Sequence, residues 1–120
     1  SLQYGVDMEK ISIKLPQNSL YLKAVRLFVA GLGSDLDFDI EQIEDLKVLV
    51  SEAINYKITE EDVKIDFLVE KDALSIEVRG KDKTADPKAI SMRDAILKAL
   101  ADDLETGEDF LKISMRKTYD

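Results

Sequence analysis

Asp39-Ile-Glu-Gln-Ile-Glu-Asp-Leu-Lys-Val-Leu-Val-Ser-Glu-Ala-Ile-Asn55 decides how the rest of the chain is read. Ile43, Leu46, Leu49, Val50, Ala53 and Ile54 recur at helical spacing, which predicts one long amphipathic helix with a single apolar stripe. Asp39 stands at the N-cap position, and Gln42, three residues on, completes a capping box. Glu41, Glu44 and Asp45 fall in the first two turns, where the helix dipole favours negative charge. Their clustering is explained by that dipole without invoking a metal ion.

Upstream of this helix, Lys10 to Leu15 alternates. Ile11, Ile13 and Leu15 share one face, and Lys10, Ser12 and Lys14 the other, as in a half-buried strand that Pro16 ends. Asn18 or Ser19 then caps a helix expected to run to about Ala30. Leu20, Ala24, Val25, Phe28 and Val29 are its expected buried stripe, with Gly31 and Gly33 as the stop. Residues 1–7 carry no periodic pattern and read as a flexible tail or an expression remnant before Met8.

Downstream, Tyr56 to Asp62 reads as a connector or a frayed helix end. Val63 to Val69 and Leu74 to Val78 alternate on either side of Glu70-Lys71-Asp72, the pattern of an antiparallel hairpin. Asp86-Pro87 is an N-cap followed by proline at the first helical position. The helix it opens is expected to reach about Leu104, burying Ile90, Ile96, Leu97, Leu100 and Leu104. Thr106-Gly107 turns the chain into a last strand through Leu111, Ile113 and Met115. The expected order is β-α-α-β-β-α-β. It implies a two-layer α/β sandwich, a four-stranded mixed sheet with helices on one face, in a single domain over residues 8–120.

Composition narrows the chemistry. The chain has 120 residues, is 45% hydrophobic, and carries a formal net charge of -8, which argues against nucleic acid or anionic membrane partners. No cysteine is present, which removes disulfides, thiolate nucleophiles and sulfur metal sites, and fits a cytoplasmic setting. Histidine is absent too, which excludes imidazole acid–base chemistry and most transition-metal sites. No apolar run approaches the ~20 residues of a membrane span. The aromatics Tyr21, Phe28, Phe38, Tyr56, Phe67 and Phe110 read mainly as core, with Tyr21 and Tyr56 as candidate contact residues. Asp102-Asp103 reads as surface charge near a helix end.

Several of these pieces stand together in a known order. Ile11-Ser-Ile-Lys-Leu-Pro16, Tyr21-Leu-Lys-Ala-Val-Arg26, Ile43-Glu-Asp-Leu-Lys-Val-Leu-Val-Ser-Glu-Ala53, Leu100-Ala-Asp-Asp-Leu-Glu105 and Ile113-Ser-Met-Arg-Lys117 follow one another at matching spacing. In this the chain resembles the anti-sigma factor serine kinases, a family of the histidine-kinase-like ATPase superfamily with its Bergerat-type α/β sandwich. The resemblance covers nearly all of Lys10 to Lys117.

What the resemblance implies about ATP chemistry turns on three places. On the central helix the family has a general-base Glu and a magnesium-binding Asn four residues apart, on one helix face. Here Glu52 falls at the first position and Tyr56 at the second. Asn55 is one residue early, about 100° round the helix. If Asn55 is aligned instead, Ser51 replaces the base. After the hairpin the family has Asp-x-Gly, whose Asp accepts a hydrogen bond from adenine; here Gly80 stands for the Asp and Asp82 for the glycine. A glycine has no side-chain acceptor. Before the last helix the family has a glycine-rich loop that lets bare backbone approach phosphates. Ser91-Met-Arg-Asp94 occupies those positions, and glycine is absent from Lys81 through Glu105.

The residues therefore imply a degenerate member. Asn55, Tyr56, Gly80, Asp82, Ser91 and Arg93 mark a vestigial pocket, with no catalytic residue, no metal and no cofactor expected. The resemblance then implies a regulatory protein-binding module whose partner is a sigma factor or an anti-anti-sigma protein, with homodimerisation a family trait. The alternative it implies is an active serine/threonine protein kinase using ATP and Mg, with a rearranged pocket and Glu52 as base.

Overall fold

The Asp39–Gln42 capping box forms as its spacing predicts. The Gln42 amide donates to Asp39 Oδ1 at 2.8 Å, and the Asp39 amide donates back to Gln42 Oε1 at 3.4 Å. In the computed structural model, which describes residues 8–16, 18–57, 62–83 and 86–118, this cap opens an 18-residue helix, Ile40–Lys57. Leu46, Leu49, Val50, Ala53 and Ile54 are buried along it, matching the predicted stripe, with Ile43 half-buried. In chain order the elements are β1 (Glu9–Leu15), a single 3-10 turn (Ser19–Tyr21), α1 (Leu22–Asp35), α2 (Ile40–Lys57), β2 (Val63–Val69), β3 (Ala73–Arg79), α3 (Pro87–Leu100), β4 (Asp103–Thr106) and β5 (Phe110–Arg116).

The strands form one sheet in the order β1-β2-β3-β5-β4, and every neighbouring pair is antiparallel. Registers align Ile11, Phe67, Ile76, Ile113 and Leu104 in one row across all five strands. The next row on the same face is Ile13, Ile65, Val78 and Leu111. Side chains alternate along a strand, so the opposite face carries the row Ser12, Asp66, Glu77, Lys112 and Glu105. The helices cover the apolar face: Val25 and Val29 of α1, the α2 stripe and Leu97 of α3 join Ile65, Phe67, Ile76 and Ile113 in one core cluster. Phe28 and Phe67 lock α1 to β2, with ring centroids 5.0 Å apart and planes tilted by 58°.

The α/β sandwich with its helices on one face agrees with expectation, but the sheet has five strands rather than four and is antiparallel rather than mixed. The added strand comes from the segment expected to end the last helix. α3 stops at Leu100, not Leu104, and Ala101 turns extended. Asp102 then anchors the chain to β5: its amide donates to the Ser114 carbonyl at 2.9 Å, and its carboxylate accepts the Arg116 amide at 2.6 Å. Leu104 is half-buried through strand pairing with Ile113, and Ile96 is 37% exposed rather than core.

The first helix also differs. It runs straight through Gly31 and Gly33 to Asp35, and Leu20 and Ala24 are exposed instead of joining the stripe. The stop lies at Asp37, which takes the left-handed conformation with φ 64°. The Phe38 amide donates to the Gly33 carbonyl at 2.9 Å and the Asp37 amide to the Ser34 carbonyl at 3.1 Å, a Schellman ending built on an aspartate. Gly33 serves packing instead: a Cβ there would sit 3.2 Å from Ile43 Cγ1 and 3.3 Å from Leu46 Cδ1, so its bareness lets α1 approach α2 closely. Residues 1–7 and 58–61, the expected tail and most of the expected connector, lie outside the described residues.

Candidate functional site

Three chain segments meet where α2 ends, β3 ends and α3 begins. The last α2 residue, Lys57, sits in a helix C-terminal turn, where a cation is favoured and ordinarily solvated. Here it is 0% exposed. A buried ammonium needs a counter-ion, and Asp82 supplies it, with Lys57 Nζ 2.9 Å from Asp82 Oδ1. That is an ionic contact without well-aligned hydrogen-bond geometry, so Nζ retains unused donors. Arg93, on α3 and 2% exposed, addresses the same oxygen, with Nη1 2.6 Å from Asp82 Oδ1. Its Nε donates to Asp94 Oδ1 at 3.0 Å, and its guanidinium lies 5.4 Å from the centroid of the Tyr56 ring. Arg93 is thereby held from three sides, by two carboxylates and an aromatic face.

Burial alone pushes the Asp82 carboxyl up. The close ammonium of Lys57 and the hydrogen bond and positive charge of Arg93 outweigh it, and the net effect holds Asp82 below the ordinary value of 3.8. The loop carrying Asp82 is pinned at both ends by its backbone. The Gly80 amide donates to the Asp109 carbonyl at 2.9 Å, and the Lys83 amide donates to the Tyr56 carbonyl at 2.7 Å. Gly80 itself has φ 157°, and a Cβ there would lie 2.8 Å from the Lys57 carbonyl oxygen. Both its conformation and its surroundings require glycine. An aspartate, which the family pattern would place there, cannot be accommodated without moving the chain.

Beside this cluster lies a cavity of about 620 Å³ lined by Glu52, Asn55, Tyr56, Lys83 and Ile96. Glu52 also borders a second hollow of about 260 Å³ between α1 and α2, with Arg26, Lys47 and Ser51. Of the six predicted vestigial-pocket residues, Asn55 and Tyr56 line the larger cavity. Asp82 and Arg93 form the ion cluster with Tyr56 against it, and Gly80 opens the loop. Ser91 is an exposed residue of α3. Glu41, Glu44 and Asp45 do not converge: among the described residues no three His, Cys, Asp or Glu side chains are grouped to hold a metal ion, and Glu44 pairs with Lys47 at 3.0 Å. Asp102 and Asp103 are exposed charges just past the end of α3, as expected, and both approach the exposed Arg116 guanidinium.

Lys57 is the site residue that sequence reasoning missed. Its position one residue past Tyr56, in the expected connector, marks it as an ordinary helix-end cation. The one available signal was Asp82, an anion placed where the family has glycine.

No family model matches the chain. Among curated proteins, it is 36% identical over 77 residues to the serine-protein kinase RsbW of Listeria monocytogenes serovar 1/2a, covering 58% of this chain and 49% of the relative. The same-named protein of Listeria innocua serovar 6a is 35% identical over the same shares. That of Bacillus thuringiensis is 40% identical over 45 residues, covering 38% of this chain and 28% of the relative. The chain thus spans about half the length, or less, of the curated relatives it matches. Among the described residues no helix is long and apolar enough to cross a membrane. Over part of its length the chain is thus similar to proteins named serine-protein kinase RsbW.

Proposed function

We propose that this chain is a regulatory protein-binding module on a kinase-like, Bergerat-type scaffold, acting in the bacterial cytoplasm with little or no ATP binding. One observation carries the reading. Of the three positions where the family pattern has glycine, Asp82 on the adenine side and Ser91 and Arg93 on the phosphate side, two hold side chains that bond to each other, Asp82 and Arg93 at 2.6 Å. Backbone that would face a nucleotide is covered by side chains that satisfy one another. The residues present do not fit Mg-ATP: Gly80 offers no adenine acceptor, Tyr56 no metal ligand, and Asp94 adds negative charge beside the phosphate side. Phosphoryl transfer depends on a held metal ion and preorganised donors around the transferred group, and this constellation supplies neither.

Similarity to proteins named serine-protein kinase RsbW supports a sigma factor or an anti-anti-sigma protein as the partner, and homodimerisation. A second reading, an active ATP-dependent serine/threonine kinase with Glu52 as base, is favoured by the cavity of about 620 Å³ that Glu52 and Asn55 line. Ligand pockets commonly fall in that size range.

Thermal unfolding with Mg-ATP separates the two. A nucleotide at ~100 times its dissociation constant adds about 2.7 kcal/mol of stability. We expect no shift up to millimolar Mg-ATP; a saturable upward shift overturns the module reading in favour of the kinase. Affinity capture from the native cell is expected to recover a sigma factor or its antagonist, and recovery of neither removes the partner assignment.

A further inference from the structure

Lys57 and Arg93 are the buried cations among the described residues, and both are aimed at one oxygen atom. We propose that they form a site for a phosphate group, and that the Asp82 carboxylate is its built-in occupant. The proposal rests on the reading above only in taking Asp82 as the group that fills this position.

Four features make this a site rather than a simple ion pair. The ammonium and the guanidinium converge on Asp82 Oδ1 at 2.9 and 2.6 Å, the arrangement two donors adopt around one oxygen of an oxyanion. Arg93 is oriented independently of Asp82, by Asp94 at its Nε and by the Tyr56 ring at its face. Among the described residues Lys57 has no such second partner, and its Nζ lacks an aligned hydrogen bond, so it has donors left to offer a ligand. The loop is held by the Gly80 and Lys83 amides, so losing the Asp82 side chain leaves the backbone in place.

Access and charge agree with this. The Asp82 side chain is 23% exposed while the two cations are 0% and 2% exposed, so the carboxylate enters from the solvent side. A cavity lined by Glu52, Asn55, Tyr56, Lys83 and Ile96 lies on the Tyr56 side of the cluster. Without Asp82 the cluster keeps two cations and one carboxylate, a net single positive charge in a largely buried setting, which favours binding of an anion.

The experiment is thermal unfolding of D82A, titrated with orthophosphate and, separately, with ADP, each against sodium chloride of equal ionic strength. Wild type and D82A/R93M are the controls. At ten times its dissociation constant the anion is expected to raise the D82A midpoint by about 5 °C, saturably. Wild type and D82A/R93M should follow only the general salt trend. Response to orthophosphate assigns the site to free phosphate, and response to ADP alone assigns it to a phosphate carried on a larger ligand. A D82A midpoint that responds no more than wild type, or a D82A/R93M midpoint that responds equally, overturns the proposal.

If D82A is unfolded in chloride, recovery of its helical circular dichroism on adding phosphate supports the site. No recovery, together with a phosphate-indifferent D82S, overturns it. A wild-type shift with Mg-ATP would instead overturn the module reading and leave this result untouched.

Discussion

Replacing Asp82 by alanine removes one side chain and strands two. Lys57 and Arg93, at 0% and 2% exposure, lose their common counter-ion, while Arg93 keeps Asp94. Breaking a buried ion pair from one side costs about 3–5 kcal/mol, because a charge is left buried and uncompensated. Asp82 is 23% exposed, so water can enter beside it, which places the expected loss near the lower end, about 3 kcal/mol. At about 2.1 cal/mol/K per residue, 120 residues give an unfolding entropy of about 0.25 kcal/mol/K, so the midpoint should fall by about 12 °C.

The assay is paired urea and thermal unfolding in phosphate-free chloride buffer, monitored by far-ultraviolet circular dichroism. Asp62→Ala is the internal control. Its pair with Lys14 spans 3.6 Å with side chains 49% and 75% exposed, and surface pairs of this kind contribute about 0–1 kcal/mol. If D82A costs no more than D62A, the cluster is an ordinary surface contact and the reasoning that it seals the site fails.

Two further predictions follow from the same structure. Because the Asp82 carboxyl is held below 3.8 in the folded protein, its contribution is fully present above that pH and is lost as pH falls through the lower folded value. The stability gap between wild type and Asp82→Asn should therefore be constant from pH 5 to 7 and close below about pH 4; a gap that widens on acidification refutes the assignment. The two α1 glycines should respond oppositely. Gly31→Ala meets nothing within 4 Å and should stabilise the helix by about 0.5–1 kcal/mol. Gly33→Val drives methyls into Ile43 and Leu46 and should cost about 1–3 kcal/mol by denaturant melts.

Local rules read most of the architecture. The Asp39 capping box, the α2 stripe, Val63–Val69 as a strand and Asp86-Pro87 as a helix start all follow from neighbours within a turn or two. Where two local patterns fitted the same residues, the reading failed. Leu104 suits both a helix face and a four-residue strand, and only pairing with Ile113 decides for the strand. Gly33 suits both a helix stop and a helix crossing, and contact with Ile43 and Leu46 decides for the crossing.

The candidate site divides in the same way. From residue types alone, Gly80 could not act as an adenine acceptor, Tyr56 could not stand in for a magnesium-binding asparagine, and Ser91 to Asp94 could not form a glycine-rich loop. Those limits are chemical and need no coordinates. That Asp82 and Arg93, eleven residues apart in the chain, meet over a buried Lys57 was settled by packing. Burial turns three unremarkable surface-type charges into a mutually dependent cluster, because a charge is costly only once its water is gone, and no sequence window records where water is excluded.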